Sequence, residues 1–256
     1  MKEIFWGLKE KVCCNIQKKV VKRGDYMEEA REKKRYFKDL NRKDYIERAY
    51  EIIKNEGEEG VSIRRMAREF GCSTTCLYRY FENIDELIYY AYIIYLDEYL
   101  QVLHEKEKDW KDIWDMHIGI WEGYSRIAFT HPKAFDTIFF SPASRRLTNA
   151  LREFYSMFPE RINIVSPYLQ VMLWSTNLFE RDMVMAKRCV EAGVITMENA
   201  RHMNRMICLL YKGYLKEILD YGIRPEDIEK GVQQFRRDVE RIVDMLASDT
   251  LGHDYK

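Results

Sequence analysis

Proline and glycine are scarce in this chain, five and 12 among 256 residues. Sheets and loop-rich folds need such punctuation, so the scarcity argues for a mostly helical protein. An excess of charge of either sign is also missing: Lys plus Arg and Asp plus Glu both number 42, so whole-chain electrostatics single out no partner. Apolar runs are short. Met206-Ile207-Cys208-Leu209-Leu210-Tyr211 reads as a core-helix fragment, far from the roughly 18–20 residues of a membrane span. Lys9, Glu10 and Lys11 interrupt any signal-peptide core, and a cytoplasmic location is expected. The six cysteines form no paired CxxC knuckles and the five histidines do not cluster with them, so no zinc site, other metal or cofactor is expected. Reduced thiols serving as small apolar residues are the default, although Cys72 and Cys76 are close enough on a helix to touch.

What is present is unevenly placed. Residues 1–81 hold 20 basic against 14 acidic residues, leaving 22 against 28 for the remainder. A basic N-terminal part on an acidic body points to a polyanion-facing end. Within residues 1–40, Ile4, Leu8, Val12, Ile16 and Val20 recur at helical spacing among Lys and Arg. A basic amphipathic helix of this kind can lie on a membrane surface. Packing of residues 1–23 on the chain's own body is the preferred reading.

From residue 41 the periodicity sharpens. Ile46, Ala49, Tyr50 and Ile53 mark one amphipathic helix, stopped at Asn55-Glu56-Gly57. Ser62 is suited to cap a second, with Ile63, Met66, Ala67 and Phe70 as its stripe and Gly71 as its end. Ser73 is suited to cap a third, expected over Thr74 to Tyr80 with Leu77 and Phe81 inward. A fourth is expected from about Asn83–Asp85 to Leu103. Two short helices around a tight turn make a helix-turn-helix, whose second helix fits the major groove of DNA. Arg64, Arg65 and Arg68 fall on the outer side of the first helix, and Thr74, Thr75, Tyr78 and Arg79 on that of the second. Hydroxyls and guanidinium groups reach phosphates and base edges.

The run Ile46 to Gly57, then Val61-Ser62-Ile63-Arg64-Arg65-Met66-Ala67, then Gly71-Cys72-Ser73-Thr74-Thr75-Cys76-Leu77-Tyr78-Arg79-Tyr80-Phe81 and Asp85-Glu86-Leu87 resembles the N-terminal DNA-binding domain of TetR-family transcription regulators. The resemblance covers under a quarter of the chain. It implies DNA-binding roles for Ser62, Arg64, Arg65, Ser73, Thr74, Thr75, Tyr78, Arg79 and Tyr80. It further implies an all-helical ligand-binding and dimerisation domain behind the head. The chain departs from the family where Thr74 and Ile84 stand in place of common lysines. The second of those lysines usually meets a phosphate, so its loss should weaken non-specific affinity. The basic extension before residue 41 is also atypical.

The resulting expectation is an all-α chain: a basic helical extension (1–40), a helix-turn-helix domain of three helices (41–88) and a larger ligand-binding and dimerisation domain (89–256). Helical segments are expected at about 109–130, 132–140, 143–157, 166–192, 197–221 and 225–247. The last two present facing apolar stripes, and the resemblance implies that such a pair meets its two-fold mate. Tyr211, Ile218, Phe235, Val239 and Ile242 are the candidate interface residues of a homodimer, with Phe235 and Val239 at its centre. Trp114, Trp121, Phe139, Met172 and Trp174 are candidates to enclose an apolar or aromatic effector, with His117 and Glu122 as polar anchors. Core filling is the plainer reading for each of them singly. No nucleophile elbow, Gly-rich phosphate loop, HExxH or ExxH motif occurs in the body, so no enzyme and no catalytic residue are expected. The function expected is a ligand-responsive transcription regulator that binds double-stranded DNA, a repressor released by a small molecule. The rival is a helical small-molecule or lipid-binding sensor with a vestigial head.

Overall fold

A computed structural model describes residues 41–175 and 177–247; the expected extension at residues 1–40 lies outside them. The described residues form helices and turns with no strand, and the chain divides into two units, residues 1–84 and 85–256.

In the first unit, α1 (Arg42–Glu56) is capped reciprocally. The Asn41 side chain accepts from the Lys43 N–H and the Asp44 carboxylate accepts from the Asn41 N–H, both at 2.8 Å. After a 3-10 turn at Glu58–Gly60, Ser62 Oγ accepts the Arg65 N–H at 3.2 Å and starts α2 (Ile63–Glu69). Gly71 takes φ +60°, a left-handed conformation that lets the Cys72 N–H close on the Ala67 carbonyl at 2.9 Å. The third helix, α3, is shorter than the sequence suggests. It spans Thr74–Leu77, and residues 78–80 continue as a turn held by Tyr80 N–H and Phe81 N–H to the Leu77 carbonyl. Tyr45, Ile46, Ala49, Met66, Leu77 and Phe81 meet in one core. Burying each large apolar side chain stabilises by roughly 1.5–3 kcal/mol.

The second unit opens with α4 (Ile84–Ile93) and α5 (Tyr95–Lys106), a break at Ile94 dividing the single helix expected there. There follow α6 (Ile113–Thr130), α7 (Pro132–Phe139), α8 (Leu147–Met157) and α9 (Pro159–Ile162). Then come α10 (Pro167–Leu173), α11 (Leu178–Glu191), α12 (Met197–Tyr221) and α13 (Ile228–Leu246). The expected helix at 166–192 is also two. Asn177 accepts the Glu180 N–H at 3.0 Å and caps a new start, the competition with helix interior that Asn side chains favour.

Helices α12 and α13 run antiparallel. Asn199 near the start of one donates to the Leu246 carbonyl at the end of the other at 2.9 Å, and Tyr214 Oη donates to Asp238 at 2.7 Å. The expected role of their stripe changes, however. Tyr211, Phe235 and Val239 have no exposure at all and Ile218 only 9%. Phe235 lies against Trp121 and Phe129 of α6, with ring centroids 6.0 and 5.9 Å away. Side chains consumed by the chain's own core are not offered to a second chain, so Tyr211, Ile218, Phe235 and Val239 are core residues. Ile242 keeps partial exposure. The large apolar groups that the pair leaves exposed are Met206, Leu209, Met245 and, at the end of α12, Tyr221.

Candidate functional site

The first unit turns one face of α2 and α3 outward. Leu77 anchors α3 with no exposure, and this fixes Thr74, Thr75, Tyr78 and Arg79 as exposed. Tyr78 is 58% exposed, a cost in apolar surface that a buried role would avoid. Ser62 and Ser73 are exposed at the starts of α2 and α3. Arg64, Arg68 and Arg79 are exposed and enter no ion pair among the described residues. The helix-turn-helix segment thus leaves both hydroxyl groups and unpaired guanidinium groups exposed.

Arg65 and Tyr80 stand apart from this group. Arg65 grips Glu56 at two points, both 2.6 Å, donates to Glu69 at 2.8 Å and reaches the Gly60 carbonyl at 3.2 Å. Glu69 also accepts from Arg48 at 2.5 Å. These partners raise the Arg65 pKa and hold the Glu56 and Glu69 carboxyls below the usual range. Arg65 therefore clamps α2 to the end of α1, so contact with DNA would compete with these ion pairs. Its i,i+4 spacing to Glu69 was a visible signal. Tyr80 is half-buried, its ring 5.6 Å from that of Tyr45.

In the second unit, a cavity of 20 Å³ lies between α5, α6, α10 and α11, lined by Tyr99, Trp121, Tyr124, Met172, Arg181 and Asp182 among others. Of the expected effector residues, Trp121 and Met172 line it, and Phe139 sits 5.2 Å below the Arg181 guanidinium. His117 is fully buried one step away, its Nε2 3.6 Å from Asp182 Oδ1. Trp114 packs edge-on to His117 in the core, without exposure. Trp174 is 36% exposed and packs on Tyr155 instead. Glu122 is drawn elsewhere, pairing with Arg126 at 3.0 Å and with Arg236. That cluster lines a separate polar groove of 190 Å³, whose Glu122, Arg126 and Arg236 charges satisfy one another.

Two buried charges on α11 escape a reading by periodicity. Arg181 and Asp182 occupy the inward stripe between Leu178 and Met185, at 3% and 6% exposure. Charged residues at stripe positions were the available signal. Asp182 accepts from Trp121 Nε1 at 2.7 Å and Asn204 Nδ2 at 2.8 Å, tying α6, α11 and α12 together. Burial raises the Asp182 carboxyl and lowers the His117 imidazole, which favours the neutral form of both.

Arg181 is not so provided for. Neither of its terminal nitrogens has a hydrogen-bond partner, and no carboxylate lies in ion-pair range among the described residues. Burial lowers its pKa, opposed by the nearby Tyr124, Tyr99, Tyr155 and Tyr89. A guanidinium nevertheless stays charged in proteins. Burying an unpaired ion costs several kcal/mol, and its cation–π contact with Phe139 returns only about 0.5–2 kcal/mol. The balance is unfavourable.

Among the described residues no group of His, Cys, Asp and Glu could hold a metal ion, and no helix is long and apolar enough to cross a membrane. Cys72, Cys76, Cys189 and Cys208 are free thiols. No family model matches the chain, and no curated protein matches it in sequence. Among solved structures it is similar to a protein of Shewanella sp. PV-4 that bears the provisional name of tetR family transcription regulator. The two are 16% identical, the match covers 82% of this chain and 100% of that one, and the TM-score is 0.46. A likeness of that degree carries no weight for function.

Proposed function

We propose that the chain is a homodimeric DNA-binding transcription regulator, a repressor whose second unit takes a small apolar effector. The observation that carries the reading is the exposed set Thr74, Thr75, Tyr78 and Arg79, on a short helix anchored by Leu77 and the turn that follows it, together with the exposed, unpaired Arg64 and Arg68 of α2. Base-edge contact from such a helix supplies specificity, and the flanking guanidinium groups supply phosphate affinity.

A single helix-turn-helix reads few base pairs, which favours a two-fold dimer on half-sites about 34–36 Å apart. The outward faces of α12 and α13, with Met206, Leu209 and Met245, are the contact surface in this proposal. Effector binding would favour a state whose two heads no longer match that spacing, a coupling of about 1–3 kcal/mol on the usual scale.

Selection from a random pool of duplexes with the full-length chain tests the function. Enriched duplexes should share a two-fold symmetric sequence, and Thr75→Ala should weaken binding to it. A pool that gains no common sequence would reject the DNA-binding reading and favour a ligand-binding protein with an inactive head.

A further inference from the structure

Arg181 lines the small cavity of the second unit with 3% exposure, and both terminal nitrogens of its guanidinium are unpartnered. Every other charged group at this cavity is accounted for. Asp182, its sequence neighbour, gives its oxygens to Trp121 and Asn204 and faces His117. Around Arg181 stand the phenols of Tyr89, Tyr99, Tyr124 and Tyr155, which interact with its charge. Phenolic hydroxyls donate hydrogen bonds to an anion as readily as they accept from a cation. The remaining wall is apolar: Ile120, Met172 and Leu178, with Phe139 beneath the guanidinium.

We infer that Arg181 is the anchor for the carboxylate of an organic monoacid with an apolar body, and that this acid is the effector. The inference rests on the proposed regulator and names the ligand class of its second unit. A planar carboxylate can take two parallel N–H bonds from the terminal nitrogens of one guanidinium, the pairing for which that fork is shaped. One cation calls for one negative charge. A phosphate monoester, with nearly two, would leave charge uncompensated in the same apolar surroundings.

The 20 Å³ cavity has room for about one water molecule. An acid therefore enters by displacing side chains, and Met172 is the member of the wall best able to move, since its unbranched thioether re-packs readily. Met172 and Leu178 belong to separate helices, α10 and α11, so the wall can open between them. The small cavity and the uncompensated charge belong together: the acid-free chain holds a buried guanidinium without a partner.

Calorimetric titration and quenching of tryptophan emission test the inference on the full-length chain without DNA. The probes are octanoate, decanoate and 2-naphthoate, each compared with its primary amide, and sodium chloride alone. At least one acid should bind saturably and exceed its amide by about tenfold or more, because an unpaired site charge rejects an uncharged analogue. Arg181→Met should erase that preference and raise the melting temperature of the acid-free chain, since an unpaired buried charge gives way to an apolar group of similar length. Arg181→Gln should erase the preference also. The inference is overturned if no acid binds, if acids bind no better than amides, or if the preference survives in Arg181→Met. It is equally overturned if Arg181→Met lowers the melting temperature, or if chloride stabilises through Arg181 without competition from any acid. Because DNA is absent, failure here leaves an operator found by duplex selection intact. A bound acid with no selected duplex would instead reject the regulator reading alone.

Discussion

Arg65 holds Glu56 at two points, each 2.6 Å, across the turn that joins α1 to α2. The pair is partly open to solvent, and single exposed ion pairs contribute little. Here, however, the same guanidinium also binds Glu69, which binds Arg48, so α1 and α2 are cross-linked at two places through one network. Arg65→Gln should lower the thermal stability of the chain measurably at low salt and much less at about 1 M salt, where the Debye length falls to roughly 3 Å. Arg64→Gln should leave the melting curve alone and reduce the salt slope of DNA binding by about one. Equal effects of the two variants on melting would refute the division of roles between them.

Leu77 and Thr75 occupy opposite sides of α3. Leu77→Ala opens a cavity in a site with no exposure and should destabilise the head by about 2–5 kcal/mol. Thr75→Ala and Tyr78→Phe alter exposed groups, where stability changes stay within about 0.5 kcal/mol. Each should instead weaken binding to a selected duplex by about 1–3 kcal/mol, the worth of a base-edge contact. Denaturant melts alongside binding isotherms separate the two outcomes. Normal binding by both surface variants would mean that α3 is not the reading helix.

The start and end of α2 were legible because Ser62 and Gly71 act locally, through a hydrogen bond and a backbone angle within a few residues, whereas Ser73, expected to cap α3, makes no side-chain capping bond. The antiparallel pairing of α12 and α13 was legible too, since a short connection leaves two long stripes little else to cover. What periodicity does not say is which surface covers a stripe. Phe235 has the spacing of an interface residue and of a core residue alike, and only the placement of α6 against α13 decides between them. Arg65 and Arg181 pose the same difficulty for charge. An arginine beside the exposed set at α3 reads as solvent-facing, whereas Glu56, nine residues away in sequence, holds it in an ion-pair network at the head's surface. An arginine on the inward side of α11 has a meaning that depends on groups from α5 and α6, far away in sequence.

Asp97 on α5 gives a pH signature. Its Oδ2 accepts from Arg161 at 2.7 Å, yet the residue is 9% exposed, and burial outweighs that bond and pushes the carboxyl up to about 6. The unfolded carboxyl titrates near its ordinary value of about 3.9. Between these values the folded chain binds more protons than the unfolded one, so this group's contribution to stability declines as pH rises from about 4 to about 6. At about 1.4 kcal/mol per unit, the contribution is of order 2–3 kcal/mol. His117 has the opposite sign: its folded pKa is lowered by burial, so stability is lost as pH falls below the unfolded value of about 6.5. The difference between the native chain and Asp97→Asn isolates the carboxyl. Plotted against pH, that difference should change across pH 4–6 and be level from about 7 upward. A difference level throughout would mean that Asp97 titrates at its ordinary value.

Assembly offers the sharpest contrast between residues that sequence periodicity makes equivalent. Met206 and Leu209 lie three residues apart on the outward face of α12 and are 39% and 48% exposed, whereas Phe235 has no exposure. If the outward face joins two copies, changing Met206 and Leu209 together to Glu sets like charges against each other in a desolvated contact, a penalty of several kcal/mol. That double variant should sediment as a monomer with the native helical content. Its affinity for a selected two-fold duplex should collapse, although no residue of α2 or α3 has changed. Phe235→Glu should behave otherwise, since it buries an unpaired carboxylate among Trp121, Phe129 and Tyr211 and should unfold the second unit. Sedimentation and circular dichroism on both variants distinguish loss of assembly from loss of fold. A Met206/Leu209 variant that stayed a dimer would move the contact away from this face. One that became a monomer and still bound the full duplex unchanged would show that recognition does not depend on two-fold assembly.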